Sequence, residues 1–191
     1  MKAITLIFIV LIFQTVSLTA QTADELLKSG QEKLSHSNYK GAIEDFTKFL
    51  KLKPDDPTVY YDRALSYYSM ENKKNAIADI TKAISLKSDY TEAYSMRANL
   101  YLSSKKYNEA IKDLSVIIKL IPENDEAYYL RAISYSNLNK YQEVIKDCSK
   151  VIELNSDNAE AYQMRGLAYE KLGQRDKAKK DYAKYEELTN D

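Results

Sequence analysis

Tyr94-Ser95-Met96-Arg97-Ala98 returns 34 residues later as Tyr128-Tyr129-Leu130-Arg131-Ala132. The same motif stands earlier as Tyr60-Tyr61-Asp62-Arg63-Ala64 and later as Tyr162-Gln163-Met164-Arg165-Gly166, again at a step of 34. A fixed period in this range marks a solenoid, because one such unit cannot bury its own apolar stripes and must stack on a neighbour. Units starting at Ala23, Pro57, Thr91, Asp125 and Ala159 align the chain without a gap as five repeats, 23–56, 57–90, 91–124, 125–158 and 159–191. Within the third, Tyr94, Ala98 and Tyr101 lie at i, i+4 and i+7, one face of a helix. After a turn near Lys105, Ala110, Leu114 and Ile117 repeat that spacing. Small Ala98 and Ala110 let two helices approach, and Tyr94 and Tyr101 fill the space beside them. The spacing predicts ten helices after residue 21 and no strand, with helix starts near positions 1 and 15 of each unit.

The composition agrees with an all-α chain. Of 191 residues only 4 are Gly and 3 are Pro, fewer turn residues than β-rich or disordered chains usually need. The 28 Lys+Arg balance 28 Asp+Glu, which argues against nucleic acid or an anionic membrane surface as the main partner. One Cys excludes an intramolecular disulfide, and one His excludes a multi-His metal site. Trp is absent while Tyr appears 17 times, and eight of these tyrosines fall at positions 4 and 11 of the repeats, where they read as core.

Residues 1–20 differ from the rest. Met1-Lys2 is a short positive start, Ile4 to Phe13 is an apolar stretch of ten residues interrupted only by Thr5, and the segment closes on small or polar residues through Ala20. This order reads as a secretory signal, with cleavage expected after Ala20 and a repeat domain over 21–191. The alternative is an uncleaved membrane anchor, although a ten-residue stretch is short for a hydrocarbon core about 30 Å thick. No Cys lies near the junction to carry a lipid.

The chain resembles the tetratricopeptide repeat (TPR) family, whose unit carries an aromatic at position 4, Gly or Ala at 8, Tyr at 11, Ala at 20 and Pro at 32. Position 4 in this chain is Leu26, Tyr60, Tyr94, Tyr128 and Tyr162, and position 8 is Gly30, Ala64, Ala98, Ala132 and Gly166. Position 11 is Lys33, Tyr67, Tyr101, Tyr135 and Tyr169, and position 20 is Ala42, Ala76, Ala110, Val144 and Ala178. The first repeat departs at positions 4 and 11, and Pro at 32 survives only as Pro54 and Pro122. The resemblance covers essentially all of the chain after the signal. It implies a helix-turn-helix solenoid wound as a right-handed superhelix, with the first helices lining a concave groove for a protein or peptide.

The ends are marked. Position 21 is Ile43, Ile77, Ile111 and Ile145, then Lys179; position 28 is Leu50, Ile84, Ile118 and Ile152, then Glu186. This face should pack on the following repeat, and it is charged only where none follows. Positions 3, 7, 10 and 14 of the first repeat, Glu25, Ser29, Glu32 and His36, are its polar counterpart. Both ends read as solvent caps, and a monomer is expected. Arg recurs at position 7 and Asp at position 23. We expect structural ion pairs Arg63–Asp79, Arg97–Asp113, Arg131–Asp147 and Arg165–Asp181, each within one repeat, rather than an anion-binding ladder. Asp45 lacks an Arg and is expected to rely on water at the open end.

No Gly-rich phosphate loop or metal-spaced Cys/His set is present. His36 falls in a polar turn, and Cys148 takes position 24 in the company of Phe46, Ile80, Leu114 and Tyr182, as a buried small residue would. No catalytic residue, metal, cofactor or small-molecule substrate is expected. In the family the groove is lined by positions 2, 5, 9 and 12. These place Tyr61, Leu65, Tyr68, Ser95, Asn99, Tyr129 and Ile133 on it, edged by Glu92, Glu126 and Glu160. The chaperone-tail binders of the family hold a carboxylate with Lys at 2 and 5, Arg or Asn at 6 and Asn at 9; only Asn99 matches. The expectation is an exported scaffold or adaptor, periplasmic or extracellular. It would bind a protein or peptide through apolar anchors, with Lys or Arg against the acidic row, and would not bind nucleic acid. If residues 1–20 stay in place, the alternative is a membrane-tethered subunit of an envelope or secretion assembly machine.

Overall fold

The computed structural model describes residues 22–190; the expected signal at 1–20 lies outside them. Among the described residues the chain forms ten α-helices and no strand. They are α1 (22–35), α2 (Tyr39–Leu52), α3 (Pro57–Ser69), α4 (Lys73–Leu86), α5 (Thr91–Ser103), α6 (Tyr107–Leu120), α7 (Asp125–Asn137), α8 (Tyr141–Leu154), α9 (Ala159–Lys171) and α10 (Arg175–Thr189). No helix among the described residues is long and apolar enough to cross a membrane.

The second helix of each pair begins two residues after position 15, for a local reason. Position 15 holds a left-handed residue in every repeat: Ser37, Glu71, Lys105 and Asn139 at φ 57–60°, and Gly173 at φ 75°. The next residue turns its N–H back to the carbonyl at position 11, as in Asn72 N to Tyr67 O at 2.9 Å and Lys106 N to Tyr101 O at 2.8 Å. These bonds satisfy carbonyls left open at the helix end. Asn38 and Asn72 then cap α2 and α4 through their side chains, whereas Lys106, Lys140 and Gln174 make no such bond.

The described residues divide into two compact units, 22–93 and 94–190. In the first, the core gathers Ala23, Ala42, Phe46, Phe49, Leu50 and Val59, with Leu26, Leu27, Leu34 and Tyr60 packed against it. In the second, one cluster joins Ala98, Ala110, Leu114, Ile117 and Ala127, and another Ala132, Val144, Cys148, Val151, Ala161 and Ala168. Tyr94, Tyr101, Tyr128 and Tyr135 pack against these clusters, which accounts for part of the tyrosine excess.

Positions 8 and 24 vary together. A Cβ added at Gly30 would lie 2.5 Å from the Phe46 ring, and one at Gly166 would lie 2.9 Å from the Tyr182 ring. Repeats with Ala at position 8 carry the smaller Ile80, Leu114 and Cys148 instead. The two positions share the space between the paired helices.

Candidate functional site

The recurrent arginines are fully engaged by the fold. Arg63, Arg97, Arg131 and Arg165 donate from Nε and Nη2 to both carboxylate oxygens of Asp79, Asp113, Asp147 and Asp181, at 2.7–2.8 Å. Nη1 of Arg63, Arg131 and Arg165 reaches back to the hydroxyls of Thr47, Ser115 and Ser149 in the preceding repeat, at 2.9–3.0 Å. Those of Ser115 and Ser149 donate onward to the carbonyls of Ile111 and Ile145. Tyrosines at positions 4 and 11 lie against the guanidinium, as Tyr128 and Tyr135 do at 5.6 and 5.9 Å from Arg131 Cζ. With their edges bonded to Asp and hydroxyl and tyrosine rings beside them, the guanidinium groups of Arg63, Arg131 and Arg165 serve the packing of hairpin on hairpin, and that of Arg97 closes its own hairpin through Asp113.

Asp45 corrects one expectation. It is buried, and it takes Lys33 Nζ and, at 2.6 Å, Ser29 Oγ rather than water alone. Burial pushes its carboxyl up, but the Lys33 and Ser29 bonds outweigh this and hold it below the usual range. The departure of the first repeat at position 11 thus has a reason. Lys33 stands where the other repeats have Tyr, and its four-carbon stem brings a cation to the Asp that has no Arg.

In the first unit, Tyr61, Leu65 and Tyr68 follow one another along α3 at i, i+4 and i+7, one helix face. Tyr61 and Leu65 are half-buried and Tyr68 is 50% exposed. The Tyr61 ring packs on Tyr90, centroids 5.1 Å apart and planes tilted by 42°. Glu92, exposed in the first turn of α5, lies close enough that burial, Glu92 and Asp62, in that order, raise the Tyr61 phenol above its ordinary value.

In the second unit, Ser95 and Asn99 on α5 and Glu126 on α7 border a cleft of about 30 Å³ whose wall includes Leu114 and Leu130. Tyr129 is half-buried and packs against the cluster around Ala132 and Cys148, so it belongs to the core as well as to the surface. Burial and then Glu160 raise its phenol. Ile133 is half-buried one turn on, and Glu160 is exposed. The tyrosine at position 5 and the glutamate at position 2 of the next repeat are therefore electrostatic neighbours twice, as Tyr61–Glu92 and Tyr129–Glu160.

Two residues of this face do not stand out from the repeat pattern of the groove positions alone. Tyr90 occupies position 34, where Asp56, Asn124 and Asn158 cap the following helix through side-chain oxygens. Asp62 occupies position 6, where the other repeats have Lys28, Met96, Leu130 and Met164. Each is a break in a column, and a comparison of columns would have found it.

Elsewhere the chemistry is quiet. His36 is exposed in its turn, with Nδ1 2.7 Å from the Glu32 carbonyl. Cys148 is fully buried, and burial, with Asp147 adding to it, pushes its thiol up to about 12. No group of three or more His, Cys, Asp or Glu suited to a metal occurs among the described residues. Lys179 and Glu186 are exposed, bordering an open hollow of about 450 Å³ beside Tyr182 on α10.

The tetratricopeptide repeat model matches residues 57–90, 91–124, 125–158 and 159–191. No curated protein sequence matches the chain. Among solved structures, a MamA protein is similar at 26% identity and a TM-score of 0.81, over 90% of this chain and 93% of its own. MamA from Desulfovibrio magneticus RS-1 is 18% identical, with a TM-score of 0.76, over 88% and 96% of the two chains. YrrB, described as a TPR protein with an unusual peptide-binding site, is 19% identical with a TM-score of 0.80, over 94% and 92%. At these lower identities the likeness is one of fold.

Proposed function

Because the chain belongs to the tetratricopeptide repeat family, we propose that it is an exported scaffold that binds a protein or peptide segment on the faces of its first helices. The observation that carries this reading is the placement of Tyr61, Leu65, Tyr68, Tyr129 and Ile133. None of these side chains belongs to the Arg–Asp–hydroxyl columns, and Tyr68 is half exposed. A phenol offers apolar area together with a hydroxyl, a combination favoured at interfaces. Ser95 and Asn99 supply a smaller polar stretch, and Glu92, Glu126 and Glu160 are exposed acids that favour a basic segment. The description of YrrB supports a peptide as the class of ligand for this architecture. Scaffolding rather than catalysis is supported by the engagement of the arginines in packing and by the burial of the Cys148 thiol.

The test is capture of partners from the exported fraction with the protein and with a Tyr61→Ala/Tyr129→Ala variant, scored per folded molecule. Partners held by the protein and lost by the variant support the reading; equal capture removes it. N-terminal sequencing of the purified protein addresses export. A chain beginning at Gln21 fits a cleaved signal, and one beginning at Met1 would make the protein a membrane-tethered subunit instead.

A further inference from the structure

Tyr90 stands where Asp56, Asn124 and Asn158 each accept a backbone N–H from the next helix. A phenol carries its oxygen at the far end of the ring and cannot cap in this way, so the substitution works against the helix start. A residue that breaks a local rule is expected where function bears on its identity, and Tyr90 trades the cap for a ring packed on Tyr61. Tyr90 is 9% exposed, yet its hydroxyl has no hydrogen-bond partner among the described residues, and since no fully buried polar atom there is unpaired, it reaches the surface.

The surroundings are acidic. Burial, Tyr61, Asp62, Glu92 and Asp56, in that order, push the Tyr90 phenol up to about 12. Asp62 is itself raised, by burial first and by Asp56, against a 3.4 Å bond from Gln31 Nε2. The base at hand is Lys87, whose Nζ lies 4.7 Å from the Tyr90 ring centroid. A ring face in the field of three carboxylates attracts a cation, and the exposed Lys87 is the chain's own occupant of that face. The corresponding place in the second unit lacks these features. Tyr129 keeps Glu160, but Leu130 and Asn158 stand where Asp62 and Tyr90 would be.

We propose that Tyr61, Tyr90, Asp62 and Glu92 form a subsite for an arginine side chain of the bound segment, whose guanidinium displaces Lys87 from the Tyr90 ring. A planar guanidinium can stack on a ring while donating to carboxylates at its edge, which an ammonium does less well. The subsite rests on the peptide-binding reading above and names a determinant of its specificity.

The test uses the protein with ¹³C-labelled tyrosine rings, titrated with N-acetyl-arginine amide and with the neutral isostere N-acetyl-citrulline amide. The Tyr61 and Tyr90 ring signals should shift saturably with the arginine probe, the citrulline probe should bind about tenfold more weakly, and the Tyr129 ring should stay in place. Tyr90→Asn restores a cap residue and should keep the fold while the arginine-dependent shift of Tyr61 is lost. Asp62→Leu, which copies the fourth repeat, should weaken the probe about fivefold. Equal binding of the two probes, or undiminished arginine binding by folded Tyr90→Asn, overturns the subsite. Loss of partner capture in Tyr61→Ala/Tyr129→Ala, with no arginine preference at Tyr61, would sink the subsite while leaving peptide binding standing. Saturable arginine binding with partner capture unaffected would sink the broader reading instead.

Discussion

Arg131 Nη1 donates to the hydroxyl of Ser115 at 2.9 Å, sixteen residues back, while Nε and Nη2 hold Asp147 sixteen residues on. One side chain thus ties its own hairpin together and joins it to the preceding one. Position 25, which supplies this hydroxyl from Thr47, Ser115 and Ser149, is Thr81 in the second repeat and Ala183 in the fifth.

The two halves of this junction should differ in weight. Ser115→Ala removes one acceptor from Arg131 and should lower stability by about 1 kcal/mol. Arg131→Met leaves the Asp147 carboxylate, 2% exposed, without its partner and should cost about 3 kcal/mol. Urea unfolding of the single and double variants measures both. A larger loss for Ser115→Ala than for Arg131→Met would refute this ranking.

Asp45 and Lys33 predict a pH dependence at the first repeat. The Asp45 carboxyl is held below its unfolded value of about 3.9. Its contribution is therefore complete above that value and is lost as pH falls through the lower, folded one. Lys33→Met should cost about 1 kcal/mol at neutral pH, a modest figure because Lys33 is partly solvated. The difference from the unaltered protein should shrink as pH drops below about 4. A difference independent of pH, followed by thermal unfolding between pH 2 and 7, would count against the pair.

Gly30 and Phe46 should compensate one another. Gly30→Ala drives a Cβ to 2.5 Å from the Phe46 ring and should destabilise by about 2 kcal/mol despite the better helix propensity of Ala. Adding Phe46→Leu, the combination found as Ala98 with Leu114, should recover most of that loss. Additive losses in the double variant would show that the two positions do not share one space.

The last helix should resist stacking because of its charges. Lys179 and Glu186 are exposed at positions where Ile145 and Ile152 pack against a core cluster one repeat earlier. Changing both to Ile should create a concentration-dependent increase in mass by sedimentation, as expected for an uncapped repeat. A monomer at all concentrations would contradict this view of the end.

The surface tyrosines should separate by burial. Tyr68→Ala, at a half-exposed position, should leave stability within about 0.5 kcal/mol and weaken partner binding. Tyr129→Ala should lower stability as well, by about 2 kcal/mol, because its ring packs on the core. Calorimetric unfolding beside a binding titration distinguishes these effects; a stability loss at Tyr68 equal to that at Tyr129 would place both in the core.

Some of this was plain in the amino-acid order alone. The 34-residue step and the Asp column at position 23 run through all five repeats, and the helix faces at i, i+4 and i+7 and the Arg column at position 7 are restated by the second to the fifth. Five near-copies turn a weak local preference into a register, because stacked units must present the same face to their neighbours. The charged residues Lys179 and Glu186 were legible for the same reason: they break a column that is Ile or Leu in the four repeats before.

Tertiary structure decided what single repeats do on their own. That Lys33 supplies the cation for Asp45, that Gly30 makes room for Phe46, and that Tyr90 leaves the capping column to meet Tyr61 are each one departure answered by another 12 to 29 residues away. A period shows that such residues depart from the pattern, but it does not name the partner. The partner is set by which side chains two packed helices bring within contact distance, and that depends on the packing of whole hairpins rather than on spacing along the chain.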